Sequence, residues 1–87
     1  MKKRARGKQS KGLYERACEV LVGGVNSPVR AFGAVGGGPV FMKQGSGSHL
    51  VDADNDRYVD YCMSWGALVL GHAYPSIVEA VRKAAGR

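Results

Sequence analysis

The sequence predicts an α+β fold: an N-terminal helix, a three-stranded antiparallel meander and a following helix. Three observations carry this expectation. Apolar residues recur at helical spacing between positions 13 and 21. Three short β-prone segments between 39 and 62 are joined by turns too short for a crossover. Pro75 opens a second run of helical period that ends at Gly86.

Leu13, Ala17 and Leu21 recur every four residues, Tyr14 and Cys18 widen the same face, and Glu15, Arg16 and Glu19 supply the polar side. The spacing predicts a helix over 11–22, stopped by Gly23-Gly24. The stretch GGVNSPVRAF, Gly23 to Phe32, reads as a loop stiffened by Pro28, and AVGGGP after it as a glycine-rich joint.

PVFMKQ at 39–44, HLVDA at 49–53 and RYVDYC at 57–62 carry strand character. GSGS at 45–48 turns the chain once. Asp54-Asn55-Asp56 turns it again, with Asn55 suited to a positive φ. Such short turns imply antiparallel neighbours. After the link SWGALVLGHAYP, Pro75 fits the first position of a helix. Ile77, Val81, Ala84 and Ala85 line one face with Val78 beside them, Glu79 and Lys83 form an i, i+4 pair, and Gly86 caps the end.

Eighty-seven residues make one small domain at most. A chain of this size buries only about 60–65% of its unfolded surface, so it is marginal without staples or partners. The sheet and last helix present apolar faces with little sequence left to cover them, so the chain reads as the front of something larger.

The net charge of +6 is local. Residues 1–11 hold six basic side chains and no acid, leaving seven basic against seven acidic residues beyond them. The expectation is a disordered basic tail over 1–11 and a neutral body over 12–87. Charges at Glu15, Arg16 and Glu19 interrupt any signal sequence, and no apolar run approaches the roughly 20 residues that span a bilayer. A soluble cytoplasmic protein is expected. Cys18 and Cys62 lie in no ligand spacing and read as free thiols.

Several motifs fail on inspection. Asp52 to Asp56 begins like a calcium loop, but Arg57 and Met63 stand where glycine and a bidentate Glu are needed. The Gly36–Gly38 run lacks the Lys-Ser/Thr of a P-loop, and Leu50 stands where a dinucleotide fingerprint needs its third glycine. His49, His72 and the cysteines are too scattered for a metal site, and His72 reads as a structural histidine.

Three residues remain. Arg30 is a planar cation among Val29, Ala31 and Phe32, and its fork matches a carboxylate. Ser27 offers a hydroxyl on the same loop. Trp65, between Ser64 and Gly66, is a flat wall. Together they could form the carboxylate end of a small-molecule pocket. On spacing alone, a surface arginine, a turn serine and a core tryptophan explain them better.

GGVNSPVRAF, the D-x-D-N-x-x-Y-x-D run from Asp52 to Asp60, and SWG…LGHAYP from Ser64 to Pro75 resemble the class III aminotransferases, which bind pyridoxal 5'-phosphate (PLP). The likeness covers about 13–85. GGVNSPVRAF and SWG are the more specific elements and point to the aminomutases of that family. Asn55 replaces a usual glycine and Tyr74 a usual histidine, and both positions tolerate the change.

The resemblance implies the N-terminal part of a fold type I PLP-dependent transferase: the small-domain sheet and first helices, with the large PLP domain absent. It implies a homodimeric isomerase of tetrapyrrole (porphyrin) biosynthesis that turns glutamate-1-semialdehyde into 5-aminolevulinate. Arg30 would hold the substrate carboxylate, Ser27 would assist, and Trp65 would wall the pocket. The resemblance places the Schiff-base lysine and other cofactor-binding groups downstream, and neither Lys43 nor Lys83 matches that lysine. The segment alone would hold no catalytic residue and be inactive. Two other readings stand beside this one: a class III aminotransferase acting on ω-amino groups, and a small basic nucleic-acid-binding protein. The neutral body and the lack of aromatic–basic interleaving argue against the latter.

Overall fold

A computed structural model describes residues 7–33 and 36–87. The expected order of elements is present: helix α1 (Lys8–Val20), strands β1 (Met42–Ser46), β2 (His49–Asp52) and β3 (Arg57–Val59), and helix α2 (Pro75–Ala85). Short 3-10 turns occupy Val22–Gly24, Pro28–Ala31 and Met63–Gly66. The strands form one antiparallel meander in the order β1-β2-β3.

Helix α1 begins three residues earlier than the apolar spacing predicts. Residues 8–11, assigned by their charge to a disordered tail, form its first turn, and Ser10 is 1% exposed. Residues 1–6 of that tail lie outside the described residues. The early start has a physical cause, because the first orphan N–H groups of the helix find partners elsewhere in the chain. Gln9 N–H and Ser10 N–H donate to the Asp54 carboxylate at 2.8 and 3.0 Å, and Phe41 N–H donates to Ser10 Oγ at 3.2 Å. Helix, turn and the approach to β1 are thereby joined.

The first strand lies later than expected, at 42–46 instead of 39–44. Phe41 gives its N–H to Ser10 rather than to the ladder, and a bulge separates Met42 from Gln44. The first hairpin turn shrinks to Gly47 and Ser48 between Ser46 and His49. Strand β3 stops at Val59, short of the expected 62, because the Asp60 carboxylate accepts the N–H groups of Cys62 and Met63 at 2.8 and 3.0 Å and turns the chain.

The aspartate-rich motif acts as a structural hub. Asp52, 3% exposed, accepts Asp54 N–H and Asp56 N–H through Oδ1, both at 2.9 Å, and the Tyr58 hydroxyl through Oδ2 at 2.8 Å. Asn55 takes φ 69°, the left-handed value its position predicts. The Asp52 and Asp54 carboxylates are thus engaged by backbone donors of the chain itself. Among the described residues no cluster could hold a metal ion.

No large apolar side chain is buried among the described residues. Ile77 and Val81 of α2 are exposed, and with Val69 and Leu70 they line an open groove of 460 Å³ between α2 and the link before it. Glu79 and Lys83 pair at 4.0 Å on the outer side, as the spacing predicts. The fold is therefore held mainly by hydrogen bonds, with its apolar faces uncovered. Among the described residues no helix is long and apolar enough to cross a membrane. Cys18 and Cys62 are free and exposed.

Candidate functional site

Ser27 and Arg30 belong to one local device. Ser27 is extended and stands immediately before the turn Pro28–Ala31, and its carbonyl accepts Arg30 N–H at 3.0 Å. Pro28 fixes the first position of that turn. Phe32 follows at φ 62° and ends it. The Ser27 hydroxyl caps nothing in the turn.

Arg30 is exposed, and its guanidinium has no ion-pair or hydrogen-bond partner among the described residues. It lines a groove of 390 Å³ whose other walls are largely apolar, including Leu21, Val25, Phe32, Phe41 and Met42. The groove lies between the end of α1, the GGVNSPVRAF loop and the approach to β1. A cation with five donors at the edge of an apolar slot suits an anionic, planar group, since such a slot offers little competing hydration.

Trp65 lies elsewhere. It does not line the Arg30 groove, and it is 94% exposed on the turn Met63–Gly66. That turn has an unusual backbone. Met63, Ser64, Trp65 and Gly66 take φ of 46°, 52°, 59° and 95° in succession. Each non-glycine residue in this region costs roughly 1–2 kcal/mol, so the turn needs external support.

The support is Asp60, which sequence reasoning did not single out. Its Oδ1 takes the N–H groups of Cys62 and Met63, and its Oδ2 accepts His72 Nε2–H at 2.6 Å. These contacts hold the Asp60 carboxyl below its ordinary value of 3.8, the Met63 N–H contributing most, the His72 side chain next and the Cys62 N–H after it. His72 is in turn bridged to Gly47, each donating its N–H to the other's carbonyl at 2.9 Å. The structural reading of His72 thus has a specific partner set.

Lys43 bonds the Asn55 side chain on an exposed strand, and Lys83 faces solvent beside Glu79.

The sequence pattern of the family described as aminotransferase class-III matches residues 32–87. The chain belongs to the class III aminotransferase family. Among curated proteins, glutamate-1-semialdehyde 2,1-aminomutase from Thermodesulfovibrio yellowstonii is 57% identical over 76 residues, 87% of this chain. The enzyme of that name from Laribacter hongkongensis is 59% identical over 73 residues, 84% of this chain. This class III chain spans 18% and 17% of the length of those two relatives.

Solved structures share the architecture. An omega-transaminase from Sphaerobacter thermophilus superposes with TM-score 0.73 at 37% identity, over 92% of this chain and 18% of that one. A glutamate-1-semialdehyde-aminomutase from Pseudomonas aeruginosa PAO1 reaches TM-score 0.77 at 24% identity, over 90% and 17%. The helix-and-meander arrangement is therefore a part of the fold of PLP-dependent transaminases.

Proposed function

We propose that this class III segment is the N-terminal part of a glutamate-1-semialdehyde 2,1-aminomutase, and that it supplies the substrate-carboxylate end of the active site. The observation that carries the reading is Arg30: a guanidinium with no partner among the described residues at an apolar groove, three residues after a Ser27 hydroxyl that caps nothing in its turn. Identity of 57–59% to curated aminomutases supports the choice of branch.

In this reading the Arg30 fork binds the carboxylate of glutamate-1-semialdehyde in a bidentate manner, and the Ser27 hydroxyl donates a further hydrogen bond. The groove walls exclude water from that end. Clamping one end of a short flexible substrate fixes which of its carbons meets the reacting group, and such positioning lowers the barrier. Trp65 forms a second wall once the rest of the subunit closes over its turn.

PLP would supply the amino-transfer chemistry, but the described residues do not fit it. Lys43 and Lys83 are engaged at the surface, and no other lysine here matches the family's motif. We place the cofactor residues in the part of the polypeptide that the longer relatives possess. The full protein is proposed to be a cytoplasmic homodimer of tetrapyrrole biosynthesis, with the uncovered groove beside α2 closed by the rest of the assembly.

The test is a substrate panel on the full-length protein supplied with PLP. Conversion of glutamate-1-semialdehyde to 5-aminolevulinate supports the proposal. Transamination of ω-amino donors without that conversion would move the chain to the transaminase branch, a reading that the Sphaerobacter likeness keeps in view.

A further inference from the structure

Trp65 sits on a backbone that is unfavourable by itself, so something must select its orientation. The four left-handed residues begin at Met63, the second of the two residues whose amides Asp60 Oδ1 holds. The other oxygen, Oδ2, reaches His72, whose main chain is bridged to Gly47 beside the first hairpin turn. The imidazole also lies against Gly45 of β1, where an added Cβ would come within 2.8 Å of the ring. Asp60 N–H donates to Ser48 O at 2.8 Å, which fixes the carboxylate's own base. One carboxylate thus connects the rigid meander to the Trp65 turn, and its side chain and that of His72 are only 11% and 17% exposed.

We propose that Asp60 is a positioning residue for substrate recognition: through its bonds to Cys62, Met63 and His72 it sets the angle at which Trp65 meets the substrate pocket. The inference rests on the proposed pocket role of Trp65 for its kinetic consequence, but not for its structural one. Asp60 acts through the turn, its side-chain bonds among the described residues going to Cys62, Met63 and His72.

The test uses the full-length protein in four forms: unaltered, Asp60→Asn, Trp65→Ala, and both together. Asn keeps the size of the side chain but removes the charge that binds two amides and the imidazole. The expected loss in kcat/KM for glutamate-1-semialdehyde is roughly ten- to a hundredfold for Asp60→Asn, the scale of a misplaced positioning group. In the Trp65→Ala background the same change should cost less than about twofold, since coupled residues are non-additive. An equal loss in both backgrounds overturns the proposal, because a merely structural role would not depend on Trp65.

A second readout needs no substrate. The fluorescence anisotropy of Trp65, taken as the difference from a Trp65→Phe protein, should fall in Asp60→Asn, and an unchanged value also overturns the proposal. If the full-length protein lacks aminomutase activity, the assignment of function fails while the anisotropy still decides whether Asp60 holds Trp65. Should Asp60→Asn not fold, His72→Phe carries both measurements with the same expectations, since it removes the ring N–H that Asp60 Oδ2 accepts and leaves the two amide bonds in place.

Discussion

The Asp54 carboxylate receives the backbone N–H of Ser10 at 3.0 Å across a sequence separation of 44 residues. It also takes Gln9 N–H at 2.8 Å. A helix whose own cap residue, Gly7, has no side chain is thus capped by the turn between two strands. Capping side chains contribute about 0.5–2 kcal/mol. Asp54→Ala in the full-length protein should therefore speed amide exchange across Lys8–Val20 by up to about thirtyfold, at fixed exchange in β2. Unchanged protection in α1 would show that packing, not the cap, secures the helix.

Gly71 combines a left-handed backbone with close quarters. Its φ is 84°, and an added Cβ would lie 2.9 Å from the Gly47 carbonyl oxygen. Gly47 has φ 56° but open space around it. Gly71→Ala should cost more than the roughly 1–2 kcal/mol of left-handed backbone alone, and Gly47→Ala about that amount. Urea unfolding midpoints of the two full-length variants would rank them, and equal midpoints would contradict the close approach.

The elements that were legible in the sequence are those whose signals are local. Pro75, the apolar spacing of Ile77 and Val81, and Gly86 delimit α2 without outside help. Asn55 and the flanking aspartates mark their turn for the same reason. The errors fall where a distant group decides. Helix α1 starts early because Asp54 caps it, β1 starts late because Ser10 takes the Phe41 amide, and β3 ends early because Asp60 turns the chain. The Arg30 loop was visible as a stiffened turn with an odd cation. The left-handed run at Trp65 was not, since no residue in SWG other than glycine favours it. A carboxylate followed two and three residues later by the amides it binds is a signal that could have found Asp60.

Asp60 also predicts an acid response. Its carboxyl titrates below the ordinary 3.8 in the folded protein, so the folded state prefers the charged form. The stabilisation is fully present above the unfolded value, about 3.9, and is lost as pH falls through the lower folded value. Near-UV circular dichroism from Trp65, taken by difference from Trp65→Phe, should change below pH 3.8 and not between pH 5 and 7. Asp60→Asn should abolish that acid step, and a step that persists in the variant would assign it to another group.

The 87-residue chain by itself should not melt cooperatively, because its described residues bury no large apolar side chain. Hydrophobic burial is the main favourable term in folding, and hydrogen bonds alone contribute little net stability. A broad, sloping far-UV melt is expected. A sharp transition at a concentration-independent temperature would show that the segment folds alone.

The proposed bond between Arg30 and the substrate carboxylate is measured most directly by kcat/KM of full-length Arg30→Ala toward glutamate-1-semialdehyde. Loss of a charge-assisted pair of about 1.5–3 kcal/mol predicts a fall of roughly ten- to a hundredfold, expressed mainly in KM, with PLP binding retained. Kinetics indistinguishable from the unaltered enzyme would contradict the account and leave Arg30 a surface cation.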